Sequence, residues 1–112
     1  MRSLVTGGAG FIGSHLVDKL LELGHEVTVI DNYSTGRKEN LDHVKGRIQI
    51  IEGDISVNGE WVKAFSEIDW VFHLAALADI VPSIQNPEAY FNANVHGTFN
   101  VLQASRFSNV KK

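Results

Sequence analysis

Apolar and polar positions alternate along the chain in blocks, and each block pairs a short apolar run with a helical or turn-rich stretch. Residues 3–6 (SLVT) form the first apolar run. Residues 11–23 place Ile12, Leu16, Leu20 and Leu23 at helical spacing, which predicts an amphipathic helix stopped by Gly24. Residues 26–30 (EVTVI) are β-branched and predict a second strand ending at Asp31, followed by the polar turn DNYSTGRKEN and a short helical piece over 39–44. Residues 47–51 (RIQII) predict a third strand, with Asn58 as the cap of a helix carrying Trp61, Val62 and Phe65. Residues 69–76 (DWVFHLAA) are apolar on both faces, the signature of a strand buried in a parallel sheet. Pro82 and Pro87 then mark a loop, with Ser83 as a turn residue. Asn86-Pro87-Glu88 supplies a cap, a first-turn proline and an acid at the positive helix end, so a helix is expected from there to Phe107. Four β/α units in succession imply a parallel sheet with right-handed crossovers and helices on both faces.

Composition narrows the class without changing this outline. The 112 residues, 44% apolar and 21% charged, suit one globular domain. There is no cysteine, hence no disulfide framework or thiolate metal site, and a reducing compartment, the cytoplasm, is expected. No cleavable leader and no run of eighteen apolar residues is readable, so no membrane partner is expected. A net charge of −3 with scattered basic residues offers no footprint for nucleic acid. The histidines at 15, 25, 43, 73 and 96 lack ligand spacing, so they read as structural and no metal is expected.

The junction between the first strand and helix, TGGAGFIG, carries the chemistry. Gly7, Gly10 and Gly13 form G-x-x-G-x-x-G, while Gly8, Gly10 and Gly13 satisfy G-x-G-x-x-G. An early glycine permits the tight turn, Gly10 admits a pyrophosphate against the backbone, and Gly13 lets the helix lie close on the strand. The N–H groups of Phe11 and Ile12 then face the anion. Asp31 follows Gly13 by 18 residues at the end of the second strand, where a carboxylate accepts from both adenosine ribose hydroxyls and repels a 2′-phosphate. The pattern therefore predicts NAD rather than NADP, with Arg37 and Lys38 read as a solvated face.

Taken together, TGGAGFIGSHL (6–16), DNYSTG (31–36), GDI (53–55), HLAA (73–76) and NPEAYFNANVHGTFNVL (86–102) resemble the NAD-dependent sugar-nucleotide epimerase/dehydratase family of the extended short-chain dehydrogenases/reductases. The resemblance implies a Rossmann-type doubly wound α/β sheet of order 3-2-1-4, incomplete at its C-terminal side. It implies that Gly7, Gly10, Phe11, Ile12 and Gly13 hold the pyrophosphate. Asn32, Ser34, Thr35 and Gly36 would join Asp31 around the ribose, with Asp54 and Ile55 at the adenine. Leu74, Ala75 and Ala76 would line the path to the nicotinamide, and Asn94 would stand near its reactive end. From local sequence alone Asp54 reads equally well as a turn residue, and Ala75 and Ala76 as small core residues.

The family's acid/base work belongs to a tyrosine four residues before a lysine, and neither Tyr33 nor Tyr90 has a lysine at that spacing. No catalytic residue is therefore assigned, and that pair, together with the lobe gripping a nucleotide-sugar substrate, is expected beyond Lys112. The apolar fourth strand would then be an uncovered edge, protected by further chain or by a second copy. The resemblance also implies a homodimer built on the helix over 88–107, with Phe91, Val95 and Leu102 on one side and Tyr90, Val101 and Ala104 on another. Residues 1–112 are thus expected to be the N-terminal part of an NAD-binding domain in a nucleotide-sugar epimerase or dehydratase. A non-catalytic dinucleotide-binding module or an inactive fragment is the alternative.

Overall fold

Four parallel strands pair in the order β3-β2-β1-β4: β1 (Arg2–Thr6), β2 (Glu26–Asp31), β3 (Gln49–Glu52) and β4 (Trp70–His73). The computed structural model describes residues 1–112, residue 80 by its backbone alone. Side-chain alternation along the central strands builds one core on each face of the sheet. Leu4 and Ile30 point to a cluster with Ile55, Trp61, Phe65, Ile68, Val101 and Ala104. Val5, Val27 and Val29 point to the other, with Ala9, Val17, Leu20, Leu41 and Val44. The connections from β1 to β3 thus pack on one face, and the 60–65 segment and the helix over 97–107 on the opposite one, so the winding reverses between β1 and β4.

Helix α1 (Phe11–Glu22) ends as expected, with Gly24 at φ 86° and its N–H on the Leu21 carbonyl while His25 N–H reaches Leu20. Its buried face differs from the expected one. Gly13, Ser14, Val17 and Leu20 face inward, whereas Ile12 and Leu23 are 71% and 63% exposed. Gly13 decides this, because a Cβ there would collide with the Gly7 carbonyl oxygen. Only a glycine can be the point of closest approach, and the helix is rotated to put it there.

Three other expectations are revised. The segment carrying Trp61 and Phe65 is a 3-10 helix (Glu60–Phe65) that starts at Gly59 without any side-chain cap, so Asn58 does not cap it. Pro82 and Ser83 lie in a short helix, α2 (Ile80–Gln85), not in a loop. The fourth strand is shorter than expected and only half-buried, because it lies beside one neighbouring strand instead of two. Its outer edge is partly engaged by the chain itself: Lys111 N–H donates to Asp69 O at 3.0 Å, and Val71 N–H to Lys112 O at 2.8 Å.

The last helical region begins as predicted, with Pro87 at the first turn and Asn86 Oδ1 accepting from Ala89 N at 3.3 Å. It comprises α3 (Pro87–Tyr90), a π-helical turn (Phe91–His96) and α4 (Gly97–Phe107). Gly97 sets α4 against the turn that follows β3, since a Cβ there would lie 2.9 Å from Ile55 Cγ1.

Candidate functional site

The C-terminal ends of all four strands open into one cleft of about 360 Å³, placed where the winding direction reverses. The turn after β1 forms one wall. Gly7 has φ 73°, and a Cβ on it would lie 2.8 Å from Ala75 N, so both its conformation and its packing require glycine. Gly10 N–H donates to Gly7 O at 3.1 Å, and Ser14 N–H donates to Gly10 O at 2.9 Å, closing the turn into α1. The first-turn amides of Phe11, Ile12 and Gly13 have no partner within the helix. No acidic residue lies in that turn, and the cap makes no side-chain bond, so the positive helix end is uncompensated by the chain.

Asp31 is 8% exposed, and both of its carboxylate oxygens are engaged within the chain. Its Oδ2 accepts from Ala9 N at 2.9 Å, and its Oδ1 accepts from Tyr33 N at 2.8 Å. The carboxylate thereby fastens the glycine turn to the end of β2. Ala9 O completes the brace by accepting from Arg37 N at 3.1 Å and from Asn40 Nδ2 at 2.8 Å. Asn32 Oδ1 accepts from Ser34 N at 3.0 Å, which shapes the turn holding Ser34, Thr35 and Gly36 at the cleft. Lys38 lies over the Tyr33 ring at 5.0 Å and is 3.6 Å from Glu52, while Arg37 is exposed. Burial, and then the charges of Asp31 and Glu52, raise the Tyr33 pKa above its ordinary value, so the phenol stays protonated.

Asp54 Oδ1 accepts from both Ser56 N (2.9 Å) and Ser56 Oγ (2.7 Å), the turn geometry that its neighbours in sequence suggested. It also lines the cleft beside Ile55, whose carbonyl accepts from Asn100 Nδ2 at 2.8 Å. Leu74, Ala75 and Ala76 form the wall after β4.

Of the expected site residues, Gly7, Gly10, Asp31, Asn32, Ser34, Thr35, Gly36, Asp54, Ile55, Leu74, Ala75 and Ala76 line the cleft together. Gly13 lies behind the turn as packing, and Phe11 and Ile12 are exposed at the helix start. Asn94 is not in the lining. Its amide clamps Leu77, accepting from Leu77 N and donating to Leu77 O, each at 2.8 Å. Residues that sequence reasoning did not single out also line the cleft: Gly53, Ser56, Leu77, Ala89, Asn92 and Ala93. The spacing of Ala89, Asn92 and Ala93 gives one helix face of small and amide side chains, a signal available in the sequence but pointing nowhere until the helix is docked. Among the described residues, no three histidine, aspartate or glutamate side chains gather as a metal site, and no helix is long and apolar enough to cross a membrane.

The chain as a whole is similar to known proteins. UDP-glucuronic acid decarboxylase 1 of Arabidopsis thaliana is 47% identical over 104 residues, covering 91% of this chain and 23% of the relative. A UDP-glucose 4-epimerase structure from Thermotoga maritima, with UDP-glucose, superposes with a TM-score of 0.92 at 41% identity, covering 99% of this chain and 36% of that one. The UDP-glucose 4-epimerase of Thermus thermophilus in complex with NAD gives 0.89 at 43% identity, covering 98% and 35%. The chain spans about a quarter to a third of the length of the relatives it matches. The model of the NAD dependent epimerase/dehydratase family matches residues 3–112, nearly the whole sequence. With the glycine turn, the Asp31 brace and the sheet order all in place, this chain belongs to the NAD dependent epimerase/dehydratase family.

Proposed function

We propose that residues 1–112 are the N-terminal, NAD-binding part of a nucleotide-sugar epimerase or dehydratase, and that the cleft at the strand ends holds the cofactor. The observation that carries this reading is Gly10. It lines the cleft, and a Cβ built on it would meet only the Gly7 carbonyl, at 3.3 Å. That contact is tight but single, unlike the several backbone collisions at Gly7 and Gly13, and the open side of Gly10 is where a pyrophosphate drawn to the uncompensated start of α1 would lie. The amides of Phe11 and Ile12 would bind the phosphates, with Gly7 and Gly13 keeping the turn close to β4 and to α1. Asp31, supported by Asn32, Ser34, Thr35 and Gly36, would orient the ribose. Asp54 and Ile55 would hold the adenine, and Leu74, Ala75 and Ala76 would present small or apolar surface to the rest of the dinucleotide. Asn94, expected near the reactive end, would act there only by holding Leu77 in the cleft wall. Bound NAD would supply a hydride acceptor that oxidises the sugar C4 hydroxyl transiently and then returns the hydride. The tyrosine and lysine that would move the hydroxyl proton, and the lobe gripping the nucleotide sugar, are assigned outside these residues.

Calorimetric titration tests the cofactor reading. Gly10→Ala is expected to lower stability by about 1–2 kcal/mol, less than Gly13→Ala, because the new methyl meets one backbone oxygen at 3.3 Å. It should weaken NAD binding by roughly 10- to 100-fold, the cost of an extra methyl in a filled site. Unchanged NAD affinity in this variant would remove the main support.

The helix after the cleft carries the proposed homodimer surface. Phe91, Val95, Phe99 and Leu102 are all exposed at helical spacing while Val101 and Ala104 are buried, leaving an apolar stripe on the outer side. Sedimentation equilibrium is expected to give a dimer for the unaltered protein and a monomer for Leu102→Glu. A variant that sediments like the parent would rule this stripe out as the contact.

A further inference from the structure

Strand β4 ends at His73, a half-buried residue whose ring lies between two threonines. Thr6 Oγ1 is 2.7 Å from Nδ1, and Thr98 Oγ1 is 2.8 Å from Nε2. The direction of each bond follows from counting hydrogens. A threonine hydroxyl has one hydrogen and two acceptor sites. Thr98 donates its hydrogen to Asn94 O at 2.6 Å, so it can only accept from the ring, and Nε2 must carry the proton. Thr6 Oγ1 already accepts from Ala75 N at 3.2 Å and from Leu74 N at 3.1 Å, the latter N–H being shared with Thr6 O at 3.1 Å, so both of its acceptor sites face N–H groups. Its hydrogen therefore goes to Nδ1, which must be bare. The Nδ1–H tautomer would leave no proton between Nε2 and Thr98, and would set a donor against the filled Thr6 oxygen. An imidazolium meets the same conflict at Thr6. Burial acts in the same direction by lowering the His73 pKa from its ordinary value.

The relay runs from the amides of Leu74 and Ala75 through Thr6, His73 and Thr98 to the Asn94 carbonyl. Asn94 is also the residue whose side chain clamps Leu77 at both backbone atoms. Both ends of the relay thus hold residues 74–77, the cleft wall after β4. The far end is set at the junction of the π-helical turn and α4, an irregularity often found where a helix is bent to functional use.

We propose that His73 is a positioning residue, a neutral Nε2–H imidazole that couples β1 to the last helical region and so fixes the wall at residues 74–77 against the cofactor. The consequence for affinity rests on the NAD reading of the cleft, while the tautomer and the wall's rigidity do not. Nitrogen-15 NMR of histidine-labelled protein is expected to show His73 with a protonated, pyrrole-type Nε2 and a bare, pyridine-type Nδ1 at neutral pH. A protonated Nδ1 would overturn the proposal without any variant being made. Thr98→Val, which keeps the shape and removes the acceptor, should accelerate exchange of the Leu77 amide and weaken NAD binding about tenfold, roughly one net hydrogen bond. His73→Gln, which returns an N–H near the Nε2 position, should recover part of that loss relative to His73→Phe. Unchanged Leu77 exchange in Thr98→Val would overturn the positioning role. If the unaltered protein binds no NAD, the functional reading fails, and the tautomer and exchange results still decide this one.

Discussion

Replacing Gly13 with alanine is expected to cost the protein about 3 kcal/mol or more, a large part of the roughly 5–15 kcal/mol that keeps a domain of this size folded. The new methyl would fall on the Gly7 carbonyl oxygen and within 2.9 Å of Gly8 Cα, both backbone atoms that no rotamer change can move aside. Gly7 cannot retreat, because it lies against the backbone of Ala75 and its N–H is bonded to Ile30 O at 2.8 Å. Helix α1 must therefore lift, and Val17 and Leu20 leave the core with it. Thermal unfolding should show Tm lower by roughly 10–20 °C. A loss under about 1 kcal/mol would mean that α1 does not approach the turn as closely as described. The contrast with Gly10→Ala is informative, since one glycine serves the fold and the other is proposed to serve the ligand.

Altering Asp31 is expected to change two properties at once. Its carboxylate is buried and accepts from two backbone N–H groups, so Asp31→Ala leaves both donors without a partner. Each orphaned buried donor costs roughly 1–3 kcal/mol, and urea unfolding without cofactor should show a loss of about 2–4 kcal/mol. Asn at this position rescues only one of the two, because its amide nitrogen would confront a second donor. The unaltered protein should bind NAD at least about tenfold more tightly than NADP, since on the proposed reading the Asp31 charge would face a 2′-phosphate. Asp31→Asn should narrow that preference. Calorimetry with both dinucleotides checks the second effect independently of the first, and a preference for NADP in the unaltered protein would refute the selectivity argument. Lys38 offers little help to a 2′-phosphate while it is occupied with Tyr33 and Glu52.

Reading the chain locally succeeded where chemistry is set by neighbours in sequence. The Schellman-type stop at Gly24, the Asn86-Pro87 helix start and the turn at Asp54 each depend on a few adjacent residues, and each is present in the structure. The strand order was also legible, because it follows from the family resemblance and from the rule for parallel crossovers. Local reading failed where two elements compete for one position. Hydrophobic periodicity alone placed Ile12 and Leu23 inward on α1, yet contact between Gly13 and Gly7 O outweighed it. Likewise Asn58 looked like a cap, but the docking of Trp61, with its Nε1 on Val57 O at 2.8 Å, starts the turn at Gly59.

The sequence by itself determined that four strands alternate with helical connections, that a glycine turn opens the first helix, and that a carboxylate closes the second strand 18 residues later, whereas the connections after β2 and β3 are 3-10 turns. Those features depend on backbone freedom, capping and periodicity, which act over a few residues. Tertiary structure alone decided that Asp31 braces Ala9, that Asn94 is spent on Leu77, and that Thr6, His73 and Thr98 form one directed relay. Each of those bonds joins residues 17 to 67 positions apart, or depends on a bond that does. Such partners meet only when burial of both sheet faces has fixed every element's rotation, because a polar group taken from water must then find its partner among whatever the packing brings near.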